Sequence, residues 1–265
     1  MNRQHGATLI ELVVVIVVTG IIAAGIATFL RRPVEGYVDA SRRAKLTDEA
    51  DTALRRISRD LRTALPNSVR VDASGKFVEF IATTSGGRYR AEQTSGGTGD
   101  ILDFTAADTS FDVLGPVPAT GTDIVVYNLY NSGSTSNAYS GDNRQTLTSA
   151  GATVAFPSKL FPESSPARRF HIVSGPVTYG CTGGQLVRYS GYAYNEPQVA
   201  PPAGGSSAVL AGDVDTAACS FSYVSGSLGE RTGTVSIVLQ INSVSAGGNT
   251  ERVRMFQQVQ IENAP

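Results

Sequence analysis

The sequence predicts an α+β protein in which one long N-terminal helix packs on a head of antiparallel β-sheet. Three observations predict this class. First, residues 7–30 form an apolar run that would span about 36 Å as a helix, enough to cross a membrane. Second, a charged segment with a helical spacing of apolar residues follows this run. Third, the remaining residues alternate β-type runs with Gly, Ser and Thr tracts, which favours two packed antiparallel sheets.

The apolar run is the first element, and it begins after the short polar leader Met1–Gly6 and closes at residues 31–33. Glu11 is the single charged residue inside it. An unpaired carboxylate in hydrocarbon costs at least about 2.5 kcal/mol, so acids inside membranes are usually paired and functional. If the chain is cut after the leader, the new amino group of Ala7 lies one helical turn before Glu11 and can neutralise it.

Residues Gly6–Ile16 resemble the processing signal of type IV prepilins and type II secretion pseudopilins. That signal has a glycine before the cut, four apolar or small residues, and a glutamate that opens a long apolar helix. The resemblance implies a pilin-like fold, cleavage between Gly6 and Ala7 by prepilin peptidase, and methylation of the Ala7 amino group. It also implies that Glu11 sets the registration of subunits, which assemble with other pilins through their N-terminal helices.

Two departures from the usual signal concern single positions. Ala7 stands where many members begin the mature chain with phenylalanine, and Thr28 stands where a proline is common. Alanine occurs in minor members of the family, so it favours a minor subunit. An ordinary secretory signal is excluded because its apolar core is about 7–15 residues long, and the apolar run at residues 7–30 is longer than that. An unprocessed membrane anchor fits the length but leaves Glu11 unexplained.

The two cysteines, Cys181 and Cys219, lie far from the membrane segment. In a strand-rich head they predict one disulfide, formed in an oxidising compartment, and two buried free thiols are the alternative. Basic residues flank the apolar run on both sides and do not decide its orientation. The disulfide therefore predicts a periplasmic head and a cytoplasmic N-terminus in the bacterial inner membrane, before the subunit enters a pilus or pseudopilus at the cell surface.

An amphipathic second half of the helix is predicted between residues 33 and 66. Pro33 is expected to bend or restart the helix, and Pro66 to end it. Apolar residues recur on one helical face: Leu54, Ile57, Leu61 and Leu65. This stripe predicts packing on a sheet of the head rather than a coiled coil. The chain then divides into four parts: leader 1–6, transmembrane and assembly helix 7–32, amphipathic helix 33–66, and periplasmic β-rich head 67–265.

The head is predicted to contain several short strands joined by turns and long loops. The strands are Ser68–Val71, Lys76–Thr83, Ile101–Thr105, Asp123–Tyr130, Arg169–Gly175, Gln185–Tyr189, Cys219–Val224, Thr234–Asn242 and Glu251–Glu262. Asp72–Gly75 separates the first two strands and is a hairpin signal. Three tracts rich in Gly, Ser or Thr are predicted to be long surface loops: Thr83–Gly99, Asn131–Thr148 and Pro197–Ser207.

A second, weaker resemblance lies in the C-terminal half. Its blocks are Phe170–Cys181, Leu186–Tyr189, Cys219–Tyr223 and Gln257–Pro265. They are similar to the large minor pilins of the mannose-sensitive haemagglutinin (MSHA) pilus, which are akin to J-type minor pseudopilins. The resemblance implies a low-copy subunit near a pilus tip that starts assembly with other minor pilins. The alternatives are a minor pseudopilin of type II secretion and a membrane-anchored periplasmic module for adhesion or binding.

Catalysis has little support in the sequence. The net charge of −1 offers no basic surplus for nucleic acid. His5 is lost with the leader, and His171 stands alone in a strand-like run, where a structural role is more common than a catalytic one. Asp213 and Asp215 could offer oxygens to calcium, but they lack the glycine and glutamate spacing of an EF-hand. We therefore predict neither an enzyme nor a cofactor or metal site.

Overall fold

The computed structural model describes residues 8–133, 135–226, 231–244 and 250–265. It confirms the predicted α+β class, because one long helix packs on antiparallel sheets. The elements are α1 Leu9–Leu61, β1 Arg70–Val71, β2 Phe77–Tyr89, β3 Asp108–Leu114, β4 Asp123–Val126, β5 Arg144–Thr146, β6 Thr153–Lys159, β7 Arg169–Thr182, β8 Gln185–Ser190, β9 Ser206–Ala211, β10 Ser220–Val224, β11 Thr232–Val244 and β12 Thr250–Glu262.

Helix α1 is continuous over 53 residues. Its start is capped by Thr8, whose Oγ1 accepts a hydrogen bond from the backbone N–H of Glu11 at 3.4 Å. The restart predicted at Pro33 is wrong, since the helical backbone continues through that residue. The apolar and amphipathic halves are therefore parts of one helix.

The helix ends at Leu61, earlier than the end predicted at Pro66. The N–H groups of Arg62, Thr63 and Ala64 still donate to the last helical turn, and from Leu65 the backbone N–H bonds turn to the sheet. The N–H of Leu65 donates to the carbonyl of Ile81 at 2.8 Å, and Ala64 forms an isolated bridge with Ala82. Leu65 is fully buried, but in a cluster with Ile81 rather than with the apolar stripe of α1.

The larger sheet has nine strands within the described part of the chain, and its strand pairs are antiparallel. Its main order is β5–β4–β7–β2–β3–β6, with β1 beside β2 and with β8 and β9 extending from β7. Strand β7 is central because β2 pairs along one of its edges, while β4 and β8 share the other. The hairpin predicted at Asp72–Gly75 joins β1 to β2.

The smaller sheet has the order β10–β11–β12. Strand β11 pairs with β12 from Thr232 to Val244, and residues along β11 alternate between buried and half-buried positions. The period-two pattern between Val235 and Ile241 is thus confirmed, and its buried face turns toward α1.

The main core lies between α1 and both sheets. Helix residues Leu54, Ile57 and Leu61 share one apolar cluster with Tyr179 of β7 and Ile237 of β11. A second cluster contains mainly aromatic and branched side chains of the larger sheet: Tyr89, Leu102, Phe111, Ile124, Val126, Val154, Phe156, Phe161, Phe170 and Ile172. The amphipathic stripe therefore packs on the head, as its spacing predicts.

Several strand bounds differ from the prediction. Strands β3, β5, β6 and β9 were not among the predicted strands, and β5 lies inside the tract predicted as the loop Asn131–Thr148. The predicted strand Ile101–Thr105 is irregular, because the Asp103 carboxylate accepts bonds from the backbone and hydroxyl of Thr105 and bends the chain. Strand β4 stops at Val126, since Tyr127 has a φ of 51°.

The tract Thr83–Gly99 also begins as strand rather than loop. Strand β2 continues through Gly86 and Gly87 to Tyr89. A Cβ atom at Gly86 would lie 2.7 Å from the Phe170 carbonyl oxygen, so only glycine fits this close approach of β7. The glycines that made the tract look like a loop are therefore strand residues.

Candidate functional site: the N-terminal helix and its attachment to the head

The N-terminal part of α1 presents an apolar surface that the head does not cover. The segment Leu9–Ile26 has a mean hydropathy of 2.8, and none of it is buried. Leu9 and Phe29 expose 83% and 82% of their surface. Apolar surface in water is unfavourable by about 25 cal/mol per Å², so a surface of this extent needs lipid or other apolar helices around it. By length and composition, the helix can cross a membrane.

Glu11 lies in the first turn of α1, within this exposed apolar segment. Its backbone N–H is held by the Thr8 cap, and no ion-pair partner for its carboxylate occurs among the described residues. An acid in the first helical turn also interacts favourably with the helix dipole. The predicted cleavage and methylation residues, Gly6 and Ala7, lie outside the described residues.

The second half of α1 is fastened to the head by polar contacts as well as by its apolar stripe. Asp60 Oδ2 accepts a hydrogen bond from the Tyr179 hydroxyl at 2.6 Å and another from Arg188 Nε at 3.1 Å. Burial and the Asp60 carboxylate raise the pKa of Tyr179, so its hydroxyl stays a donor. Arg43 forms an ion pair with Glu251 of β12. The exposed apolar half is thus the extension of a helix anchored in the head.

The N-terminal sequence matches a known family model. The model is that of the prokaryotic N-terminal methylation motif, and it matches residues 1–27. The chain carries the methylation motif of type IV pilins and pseudopilins. Neither a curated protein nor a solved structure matches the chain significantly.

The methylation motif accounts for the exposed helix. It implies processing by prepilin peptidase, assembly with other pilins, and anchoring in the inner membrane before assembly. Its proteins are structural subunits rather than enzymes. The type IV pilin-like character of the chain is therefore established by its N-terminus together with its architecture.

The two predicted cysteines are joined in the structure. Cys181 lies in β7 and Cys219 directly precedes β10, and their Cα atoms are 6.3 Å apart in the disulfide. The bond therefore connects the larger sheet to the smaller one. Lys76 Nζ adds a second link, because it donates to the backbone carbonyls of Ala217 and Cys219.

Asp215, one of the two acids considered for calcium, has a structural role in the head. Asp215 accepts hydrogen bonds from Ala217, Ala218, Gln240 and Asn242, and these bonds tie the turn before β10 to strand β11. The backbone N–H of Ala218, followed by the Asn242 side chain, lowers the pKa of Asp215. The part of the chain that the structure describes contains no group of three or more metal-type ligands.

A buried ion pair is the main polar site that the sequence did not reveal. Arg70 Nε donates to Glu79 Oε2 at 2.7 Å, and the Tyr192 hydroxyl donates to Glu79 Oε1 at 2.9 Å. Burial raises the pKa of Glu79, while Arg70 opposes this shift. Arg70 also donates to the carbonyls of Asn195 and Glu196, which holds the loop after β8. Glu79 is only nine positions from Arg70, but the other partners, Tyr192, Asn195 and Glu196, lie more than 100 residues away in the chain, so no local pattern marks the network.

Proposed function

We propose that this chain is a minor pilin of an MSHA-like type IV pilus that helps to start pilus assembly near the tip. Prepilin peptidase removes residues 1–6 by cleavage between Gly6 and Ala7, and it methylates the new Ala7 amino group. The mature subunit waits in the inner membrane, with residues 7–32 in lipid and the head, residues 67–265, in the periplasm. The observation that carries the proposal is the methylation motif on an exposed apolar helix that contains one acid.

The mechanism rests on the charge of Glu11. In the membrane this carboxylate carries a desolvation cost, which a well-formed pair with an ammonium group offsets in part. The methylated amino group of Ala7, from a neighbouring subunit or from the same one, supplies that ammonium. The pairing sets the axial registration of the incoming helix, while the remaining apolar side chains pack against the helices of other pilins.

The MSHA-type assignment is supported by where the four segments that resemble MSHA minor pilins lie in the structure. Each of the four blocks contributes to the main core, through Tyr179, Leu186, Phe221 and Val259. The disulfide between Cys181 and Cys219 joins two of the blocks directly. The resemblance thus concerns one packed unit of the head rather than scattered surface residues.

The first test is the replacement of Glu11 in the native host. We expect the Glu11→Ala variant to be cleaved and methylated normally but to be missing from sheared pili. The reason is that the helix loses the carboxylate that sets its axial position by pairing with the Ala7 amino group. Intact-mass spectrometry of the membrane fraction and immunoblots of sheared pili measure the two steps. Asp48→Ala is the matched control, since it removes one acid from an exposed position in the amphipathic part of α1. Normal incorporation of Glu11→Ala would contradict the mechanism.

The same mass spectra separate the alternatives. Loss of residues 1–6 with a gain of one methyl group supports a pilin or pseudopilin, whereas a chain that starts at Met1 favours a membrane-anchored adhesive or binding module. A deletion strain then distinguishes the two kinds of filament. Loss of surface pili with intact protein secretion supports the MSHA-like assignment, and the reverse result supports a type II pseudopilin.

A further inference from the structure

A polar groove crosses the head where α1 ends. It consists of two adjoining cavities of about 710 and 300 Å³. Both cavities are lined by Thr83 and Ser85 of β2, by Arg169 and His171 of β7, and by Glu262 at the end of β12. The combined space has the size of a ligand site rather than of a packing defect. We call it the β2 groove.

Strand β2 has an open edge along this groove. On one side β7 pairs with β2 as far as Arg88. On the other side the Thr83 N–H donates to the Thr63 carbonyl at 2.9 Å, and pairing resumes only where Arg88 meets Leu114 of β3. Among the described residues, no strand covers the edge between these two points. An exposed edge of this kind is a template for an added strand.

The residues of the open edge leave its backbone accessible. Gly86 is exposed and adds no side chain to the groove, whereas a Cβ atom at Gly87 would lie 3.1 Å from the Phe170 ring. Gly86 cannot carry a side chain without displacing the Phe170 carbonyl. Because Gly86 is also exposed and has no side chain, its backbone is accessible to an incoming strand.

The groove carries unpaired positive charge. Arg62, Arg88 and Arg169 line it, and none of them forms an ion pair with another described residue. Glu262 is the one carboxylate among its described lining residues. Several other arginines of the head do have acidic partners: Arg70 pairs with Glu79, Arg90 with Asp112, and Arg168 with Glu92. The surplus of cations favours a partner with carboxylates.

Two buried polar atoms of the lining also lack partners. Thr83 Oγ1 and His171 Nε2 make no hydrogen bond within the described structure. Buried polar atoms are satisfied in the great majority of cases, so a pair of exceptions at one groove calls for an explanation. Burial, followed by the charge of Arg169, lowers the pKa of His171 to about 4. The imidazole is therefore neutral at pH 7 and can bond to an uncharged peptide group.

From these features we propose that the β2 groove binds an extended acidic segment of a partner protein, which adds to the open edge of β2. The backbone of the segment pairs with the residues between Thr83 and Arg88, and its carboxylates meet the three unpaired arginines. The open edge comprises the four residues from Thr84 to Gly87, or about 13 Å of strand. This site lies on the head and does not depend on the processing of the N-terminus.

The test uses the full-length protein in detergent and a labelled eight-residue peptide of alternating valine and glutamate. We expect this peptide to bind measurably by fluorescence anisotropy. A matched peptide with glutamine in place of glutamate should bind about tenfold more weakly, because it lacks the charges. An acidic peptide with proline at alternate positions should also bind about tenfold more weakly, because proline cannot donate to a strand.

Variants locate the binding site. Arg88→Glu should weaken binding of the acidic peptide by about tenfold, whereas Arg254→Glu changes the net charge equally on exposed β12 and should leave binding unchanged. Hydrogen exchange of the amides between Ser85 and Gly87 should slow when the acidic peptide is bound. Equal binding of the proline peptide, or displacement of the acidic peptide by millimolar inorganic phosphate, would overturn strand addition. Equal effects of the two arginine variants would overturn the location.

Discussion

Arg70 and His171 are two basic residues of the head in opposite situations. Arg70 is 7% exposed, and its guanidinium lies between the Glu79 carboxylate and two loop carbonyls, with its central carbon 3.6 Å from the centre of the Tyr139 ring. His171 Nε2 is buried as well, but it has no hydrogen-bond partner among the described residues. Arg70 stabilises the fold because its guanidinium is hydrogen-bonded within a buried network. His171, in contrast, has a buried nitrogen that forms no hydrogen bond within the described head.

Replacement of Arg70 by methionine should lower the free energy of unfolding by about 3–5 kcal/mol, because Glu79 would remain buried without its partner. Chemical denaturation of the detergent-solubilised protein measures the change. Arg90→Met is the matched control, since the Arg90–Asp112 pair is only half-buried and an accessible pair contributes about 1 kcal/mol or less. A similar decrease in the free energy of unfolding for both variants would contradict the larger contribution expected from the buried Arg70–Glu79 pair.

The low pKa of His171 predicts a pH-dependent stability. Its pKa falls from 6.5 to about 4 on folding because burial, and then Arg169, disfavour the imidazolium ion. Between these values the unfolded chain binds more protons, so stability is complete above pH 6.5 and decreases as the pH falls toward 4, by about 3 kcal/mol. Denaturation curves at several pH values should show a flatter dependence for His171→Gln. Parallel curves for the two proteins would contradict this prediction.

Among the elements, α1 has two different surfaces along one continuous backbone. Its first half is apolar and uncovered, and its second half buries Leu54 and Ile57 against both sheets. Because the helix is unbroken, the head is joined to the apolar N-terminal segment by one continuous helix, and the two move together. This geometry suits a subunit whose N-terminal helix is packed into a filament while its head stays outside.

The stripe on α1 is expected to carry much of the stability of the helix–head contact. Ile57 is fully buried in the main core. We expect Ile57→Ala to lower the free energy of unfolding by about 2–5 kcal/mol, through the lost burial and the cavity that remains. Thermal or urea denaturation measures this, with Arg55→Ala on the exposed face as the control, for which we expect a change within about 0.5 kcal/mol. A loss below 1 kcal/mol for Ile57→Ala would contradict the packing role.

Strands and helix ends show what local patterns predict and what they miss. Alternation predicted β11 and β12, because one face of each strand is packed and the other is not. The end of α1 was misplaced, because Leu65 continues the helical spacing while its backbone pairs with Ile81. Strand β2 was predicted too short for a similar reason. Gly86 is needed for contact with β7, and that requirement appears only when the two strands are paired.

At the scale of the whole molecule, the disulfide connects two sheets that share one core. Cys181 belongs to the larger sheet, and Cys219 leads into the smaller one. Main-chain bonds from Cys181 to Lys76 and from Phe221 to Gly75 bring both sheets to the turn between β1 and β2. The covalent bond therefore closes a junction that hydrogen bonds and apolar packing also hold.

Removal of the disulfide should destabilise the head without unfolding it completely. The cysteines are 38 positions apart, and closing a loop of this length stabilises the folded state by about 4 kcal/mol in the chain-entropy model. We expect the double variant Cys181→Ser, Cys219→Ser to lose up to this amount in chemical denaturation. Dithiothreitol should destabilise the wild-type protein similarly and leave the double variant unchanged. An effect of dithiothreitol on both proteins would show that it acts elsewhere.

The sequence alone determined the fold class, the membrane-length helix with its lone acid, and the processing motif, because hydropathy, spacing and short motifs are local properties. The tertiary structure decided the partners of Arg70, the true end of α1 and the open edge of β2. These features depend on which distant segments meet: Arg70 contacts residues more than 100 positions away, and the β2 groove joins the segment that follows α1 with β2, β7 and β12. Pairing between distant strands leaves little trace in any single stretch of sequence.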